Sequence, residues 1–241
     1  DELRDARASM SQDEYDQEYE CSFDAAIMGA FYAKEIADAE RDGRVTDSLE
    51  IDPALPMHTA WDLGKEDSTS IWFFQMAPNG ISVHDHYESH GYDLDHYVGV
   101  LRAKGYRYGT HYLPHDARAK TFAAKHSALE VSVKAFGVDK VAIVPDSKKA
   151  DRVNAARVLI GKIEFNATRC ERGLDGLRSW SYEYNEQSKI FSSDPLHDWA
   201  SHDGDGFSYG CVVMQMTRPP EQIPRPRFAT DATFDEMVEQ A

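Results

Sequence analysis

Residues 57–87 read MHTAWDLGKEDSTSIWFFQMAPNGISVHDHY. Met57–Leu63 is a short apolar strand running into Gly64. Thr69–Met76 is dense in β-branched and aromatic residues, which suit a pleated, buried surface. Pro78-Asn79-Gly80 is a hairpin turn. Ile81–Tyr87 then alternates Ile81, Val83, Asp85 and Tyr87 against Ser82, His84 and His86, a third strand antiparallel to the second. The stretch predicts a three-strand meander.

Beyond it the pattern turns to alternating helices and strands. Asp93 is placed to cap a helix over Leu94–Lys104 with Tyr97, Val98 and Leu101 inward. Tyr108–Leu113 is a fourth strand, stopped by Pro114. Ser127–Phe136 reads as a helix, Val141–Val144 as a short buried strand, and Lys148–Ile160 as a helix. Residues 168–182 and 194–216 read as two further helices. Upstream, residues 23–45 read as one helix ended near Gly43, and 46–56, with Pro53 and Pro56, as a connection. The fold class is α/β, a mixed sheet flanked by helices. The order fits a ribonuclease H-like sheet and, nearly as well, other α/β folds.

The chain of 241 residues can bury a sizeable core without disulfides. No apolar run approaches the roughly 18 residues that span a membrane. Cys21, Cys170 and Cys211 lie far apart and form no CxxC pair, which points to a reducing compartment and away from a structural zinc site. The net charge of −16 speaks against polyanions at first sight. Its distribution changes that reading: residues 1–101 carry −17, residues 102–178 carry +8 and residues 179–241 carry −7. A basic middle between acidic flanks is compatible with a local polyanion-binding face, and equally with an unevenly charged solvated surface.

Three motifs carry chemistry. Trp61-Asp62-Leu63-Gly64 puts an aspartate near the end of an apolar strand, where that residue is disfavoured. The plain alternative is a turn aspartate bonding backbone near Gly64, and Asp67 reads as a turn or supporting residue. Leu113-Pro114-His115-Asp116-Ala117 puts Asp116 at the carboxyl end of a strand, where α/β sheets place their sites. Residues 197–205 concentrate two histidines and three aspartates. On a helix Asp198, His202 and Asp205 share one face, and Asp203 points elsewhere. Carboxylates from three distant segments suit Mg²⁺ or Mn²⁺, and a pair of such ions can clamp a phosphodiester displacement. His84, His86, Glu88, His90 and His96 have no spacing that closes around zinc and read as structural or exposed. There is no Walker A motif and no Gly-x-Ser-x-Gly elbow.

With these residues in order, the chain resembles the carboxyl-terminal nuclease domain of the large terminase subunit of tailed bacteriophages. The resemblance rests on Trp61-Asp62-Leu63-Gly64 with Asp67 and Thr69, on Leu113-Pro114-His115-Asp116-Ala117, and on His197-Asp198-Trp199-Ala200-Ser201-His202 leading to Asp205. The lead-in Glu18-Tyr19-Glu20-Cys21-Ser22-Phe23 is similar to the stretch joining that family's ATPase motor to its nuclease. Where the family usually ends its last motif in Ser-His-x-x-Asp-Ala-Phe-Arg, Gly206 and Ser208 stand here in place of Ala and Arg.

The resemblance implies a ribonuclease H-like fold and a metal-dependent endonuclease that cuts concatemeric double-stranded viral DNA during packaging. It implies Asp62, Asp116 and Asp205 as catalytic residues and ligands of Mg²⁺ or Mn²⁺, two ions, with Asp203 and Asp67 as auxiliaries. Lys120, Lys125, Lys148, Lys149, Arg152 and Arg157 become the residues expected to meet DNA phosphates. The expected partners are double-stranded DNA, an ATPase domain of the same polypeptide, the small terminase subunit and the portal protein. The expected location is the host cytoplasm, with no membrane. Residues 1–56 read as a linker and helical lead-in, 57–217 as the nuclease domain and 218–241 as an extended tail. The competing readings are another ribonuclease H-like nuclease, such as a junction resolvase, and a non-catalytic module docking on DNA or the portal.

Overall fold

The computed structural model describes residues 29–64, 67–78, 80–120, 126–185 and 190–217. The lead-in motif at 18–23, Lys125 and the tail from 218 lie outside the described residues. The helices are α1 (Ala33–Arg41), α2 (Leu94–Lys104), α3 (Ala128–Phe136), α4 (Lys149–Ile160), α5 (Ala167–Ser179) and α6 (Ser201–Thr217). The strands are β1 (Val45–Thr46), β2 (Met57–Asp62), β3 (Ser68–Ala77), β4 (Gly80–His90), β5 (Tyr108–Leu113), β6 (Val141–Ile143), β7 (Ile163–Asn166), β8 (Tyr182–Asn185) and β9 (Ile190–Pro195). Among the described residues, no helix is long and apolar enough to cross a membrane.

Seven strands form one sheet in the order β1-β7-β4-β3-β2-β5-β6. β3 runs antiparallel to both β2 and β4, with Asp62 opposite Ser70 and Phe73 opposite Asp85. β5 lies parallel to β2, β6 parallel to β5, and β7 parallel to β4. A meander extended by two parallel strands beyond β2 is the ribonuclease H-like arrangement.

The period of two along the central strands explains the two cores. Ala60, Trp72, Phe74, Val83 and Phe165 face one side, under α1, α4, α5 and α6. Met57, Trp61, Ile71 and Phe73 face the other, with Tyr97 and Leu101 of α2. Ile71, Trp72, Phe73 and Phe74 are buried whichever side they face, each contributing roughly 2 kcal/mol of transfer free energy. Asp62 shares the face of Ala60 and therefore lies under α6.

Several local expectations change. Asp93 occupies the capping position of α2 but its side chain makes no capping bond. Ser127 does cap α3, in a reciprocal box with Glu130. The stretch expected to start the last helix at 194 instead ends the β8–β9 hairpin, and α6 begins at Ser201. Asp198 lies before that helix and accepts from the Ala200 amide through Oδ1. Strand β7, unread in the sequence, bridges β4 to β1. Residues 29–56, read as lead-in, pack into the fold: Phe31, Tyr32, Ile36 and Ala39 are buried, and β1 extends the sheet.

Candidate nuclease site

Asp62 closes β2. Its neighbour β5 is parallel, with Ala60 level with Tyr112, so both strands deliver their carboxyl ends to the same edge. There Pro114 breaks the strand and a 3-10 turn over His115–Arg118 presents Asp116. α6 crosses the same edge. A Cβ on Gly206 would stand 3.4 Å from the Asp62 nitrogen and 3.5 Å from its Cβ, and one on Gly204 would overlap the Trp180 ring. Gly204 therefore lets α6 press onto Trp180, while a Cβ at Gly206 would only make ordinary contact with Asp62, so α6 packs on β2 with Asp205 on the side of Asp62.

The Asp62 side chain is 19% exposed and accepts from His202 Nδ1 at 2.9 Å. Burial pushes the Asp62 carboxyl above its usual range, the His202 bond pulls it back, and the charges of Asp205 and Asp116 raise it further. Bonding to Asp62 in turn raises His202 against the opposing effect of burial. Asp62 thus feels the charges of both Asp116 and Asp205, and all three also act on the Tyr209 hydroxyl.

Asp205 is held by cations from α4. Lys149 Nζ reaches its Oδ2 at 3.0 Å and Arg152 Nη2 its Oδ1 at 3.1 Å. Asp205 is thus drawn towards α4 while Asp62 is drawn towards His202. Among the described residues, the one group of three or more metal-ligand side chains whose ligand atoms lie within 4.8 Å of one another is Asp67, His197 and His202. The three aspartates share an edge without closing to that spacing.

Asp203 sits elsewhere. It is fully buried, with Oδ1 taken by Ser70 Oγ and His86 Nε2, both at 2.8 Å, and Oδ2 by Arg172 Nη1 at 3.3 Å. Asp67, on the β2–β3 loop, is 66% exposed. That loop is pinned by Thr69, whose hydroxyl accepts from the Gly64 amide and donates to the Gly64 carbonyl.

The basic residues divide. Lys148 is exposed at the start of α4. Lys120 is exposed but paired with Glu130 at 2.9 Å. Lys149 and Arg152 are turned inward onto Asp205, and Arg157 donates to the Phe31 carbonyl at 3.0 Å. Nothing local in the sequence marks His202 as the partner of Asp62. Its spacing of three from Asp205, within one turn of helix, marks only its nearness to that residue.

Fold and site together define a ribonuclease H-like sheet with carboxylates gathered at the carboxyl edge of its parallel strands. No protein-family model matches the sequence, and no curated protein sequence does. Among solved structures, the chain is similar to the large terminase of a thermophilic bacteriophage, with a TM-score of 0.57 at 14% identity over 78% of this chain and 45% of that one. It is similar also to the nuclease domain of the P22 large terminase, with a TM-score of 0.54 at 13% identity over 73% of this chain and 90% of that one. The chain spans under half the length of the thermophilic phage protein. The fold is that of a large terminase nuclease.

Proposed function

We propose that the chain is a divalent-metal-dependent endonuclease that cuts concatemeric double-stranded viral DNA during genome packaging, as the nuclease part of a large terminase. The observation that carries this reading is the approach of Asp62, Asp116 and Asp205, far apart in sequence, at one sheet edge where the Asp62 charge is disfavoured by burial and by both other carboxylates. Such a set of hard oxygen donors fits Mg²⁺ or Mn²⁺. When bound, such ions would be held by the three aspartates and would supply charge neutralisation at the attacking and leaving oxygens of a phosphodiester displacement.

The chain's own residues do the positioning. His202 orients Asp62 through the Nδ1 bond, and that bond raises the His202 pKa against the opposing effect of burial. Lys149 and Arg152 hold Asp205 and bring positive charge to the edge a phosphate would approach. Lys148, exposed at the same helix start, is the leading phosphate contact, with Lys120 beyond it. The proposed partners are duplex DNA, an ATPase domain of the same polypeptide, the small terminase subunit and the portal protein, and the proposed location is the host cytoplasm. The likeness of fold to the thermophilic phage and P22 terminases supports this reading.

The test is conversion of supercoiled plasmid to nicked and linear forms by the purified chain. Cutting with Mg²⁺ or Mn²⁺, and none in excess chelator, is the expected result. Equal cutting in chelator would refute the metal mechanism, and no cutting with any divalent ion would favour the docking module.

A further inference from the structure

Beside the carboxylates stand two side chains that this chemistry leaves without a role, Asp67 and His197, and a third, His202, of which it uses only Nδ1. Asp67 lies on the β2–β3 loop, His197 between β9 and α6, and His202 in the first turn of α6. Their ligand atoms lie within 4.8 Å of one another, with His197 Nε2 3.9 Å from Asp67 Oδ2.

The two imidazoles are engaged alike. His202 Nδ1 is bonded to Asp62 Oδ2 at 2.9 Å and His197 Nδ1 to Ser201 Oγ at 3.1 Å. Each ring therefore has Nδ1 held by an oxygen, which leaves Nε2 as the ligating nitrogen. That is the way metal-ligating histidines are fixed, one nitrogen bonded to an outer oxygen and the other on the ion. The rings stand at 70° with centroids 5.5 Å apart, so they meet edge to face rather than stack.

We propose that Asp67, His197 and His202 form a binding site for a transition ion of the Zn²⁺ or Co²⁺ kind, beside the Asp62–Asp116–Asp205 cluster and separate from it. Two imidazoles and one carboxylate select borderline ions over Mg²⁺, which prefers oxygen alone. A tetrahedral ion with bonds of about 2.1 Å holds its ligand atoms about 3.4 Å apart. Asp67 and His197 are 66% and 73% exposed, so no packed neighbour opposes the small shift that closes them to that spacing. His202 is the fixed member, 13% exposed. An ion there ties the β2–β3 loop to the start of α6 and fixes His202 as the Nδ1–H tautomer facing Asp62.

The site is tested by metal retention, which does not depend on nuclease activity. The whole chain is titrated with Co²⁺ against a large excess of Mg²⁺, which fills the oxygen cluster, and the visible absorption of nitrogen-ligated cobalt is read. About one Co²⁺ per chain should persist with that absorption. His197→Ala and Asp67→Ala, both on exposed side chains, should each weaken Co²⁺ binding at least about tenfold with an unchanged circular dichroism spectrum. Asp205→Asn should leave it intact. Wild-type affinity in His197→Ala would overturn the inference. So would loss of the ion in Asp205→Asn, or no retention by the wild-type chain.

Discussion

Arg152 donates to Asp205 across 3.1 Å, joining α4 to α6 at the edge where the carboxylates meet. The two side chains are 7% and 16% exposed. The same guanidinium donates to the Ser147 carbonyl at 2.8 Å and lies over the Tyr209 ring, 4.6 Å from its centroid. A residue that reads as a phosphate contact in the basic middle of the sequence is thus a buried strut for a carboxylate.

Arg152→Ala should therefore destabilise the protein by about 2 kcal/mol, because it leaves Asp205 with Lys149 alone and takes the buried donor from the Ser147 carbonyl. Lys149→Ala, removing a partner that is 39% exposed, should change stability by less than about 1 kcal/mol. Urea unfolding of the two variants checks this, and equal effects would mean that Arg152 is not the main anchor of Asp205.

Asp203 and Asp205 are two residues apart and should fail differently. Asp203→Asn sets an amide NH₂ among the donors Ser70, His86 and Arg172, and should cost about 2 kcal/mol of stability. Asp205→Asn should abolish cutting in a folded protein. Thermal melts beside plasmid nicking read both outcomes. An Asp203→Asn chain that melts normally but cannot cut would move Asp203 into the metal set.

This pair also shows what the sequence could and could not reveal. The meander was legible because alternation and the Pro78-Asn79-Gly80 turn are local signals, and Asp62 stood out because aspartate is rare in an apolar strand. β1 and β7 were not legible, being two and four residues long, with β7 held against β4 and β1 against β7. The β8–β9 hairpin was hidden because Asp194 and Asp198 imitate a helix start. The burial of Asp203 depends on Ser70 and His86, more than 100 residues away in sequence, so no local pattern announces it. The same holds for the pairing of His202 with Asp62, at a separation of 140 residues.

Acid should weaken the fold at mild pH. Burial, with help from Arg169, pushes His84 down to about 4. Burial, with Lys140 and His58, does the same to His111. Both rings are neutral when folded and protonate near pH 6.5 when unfolded, so the unfolded state binds more protons between about 6.5 and 4. Stability falls as pH drops through that window, by up to about 3 kcal/mol per ring. Asp62 and His202, both raised, work the other way and offset part of the loss. Melting in chelator across pH 7 to about 4 should show a falling midpoint, and His111→Phe, which fits against Phe136, should flatten the slope. An unchanged slope in that variant would contradict the assignment.

Duplex binding should be weak and steeply salt-dependent, since a chain of charge −16 grips DNA only through a local set of phosphate contacts. Lys148→Ala should lower affinity at low salt and reduce the salt slope by about 1, with stability unchanged. Binding that is tight and indifferent to salt would mean that contacts other than phosphate pairing dominate.

The most direct test of the account is the cutting rate of Asp62→Asn against wild type with saturating Mn²⁺, on protein shown to be equally folded. The substitution keeps the shape and an acceptor for His202 but removes the charge shared with Asp116 and Asp205. The rate should fall at least about a thousandfold, the scale of losing several kcal/mol of transition-state stabilisation. A variant that cuts within about tenfold of wild type would contradict it, because the edge where β2, β5 and α6 meet would not then be where the chemistry occurs.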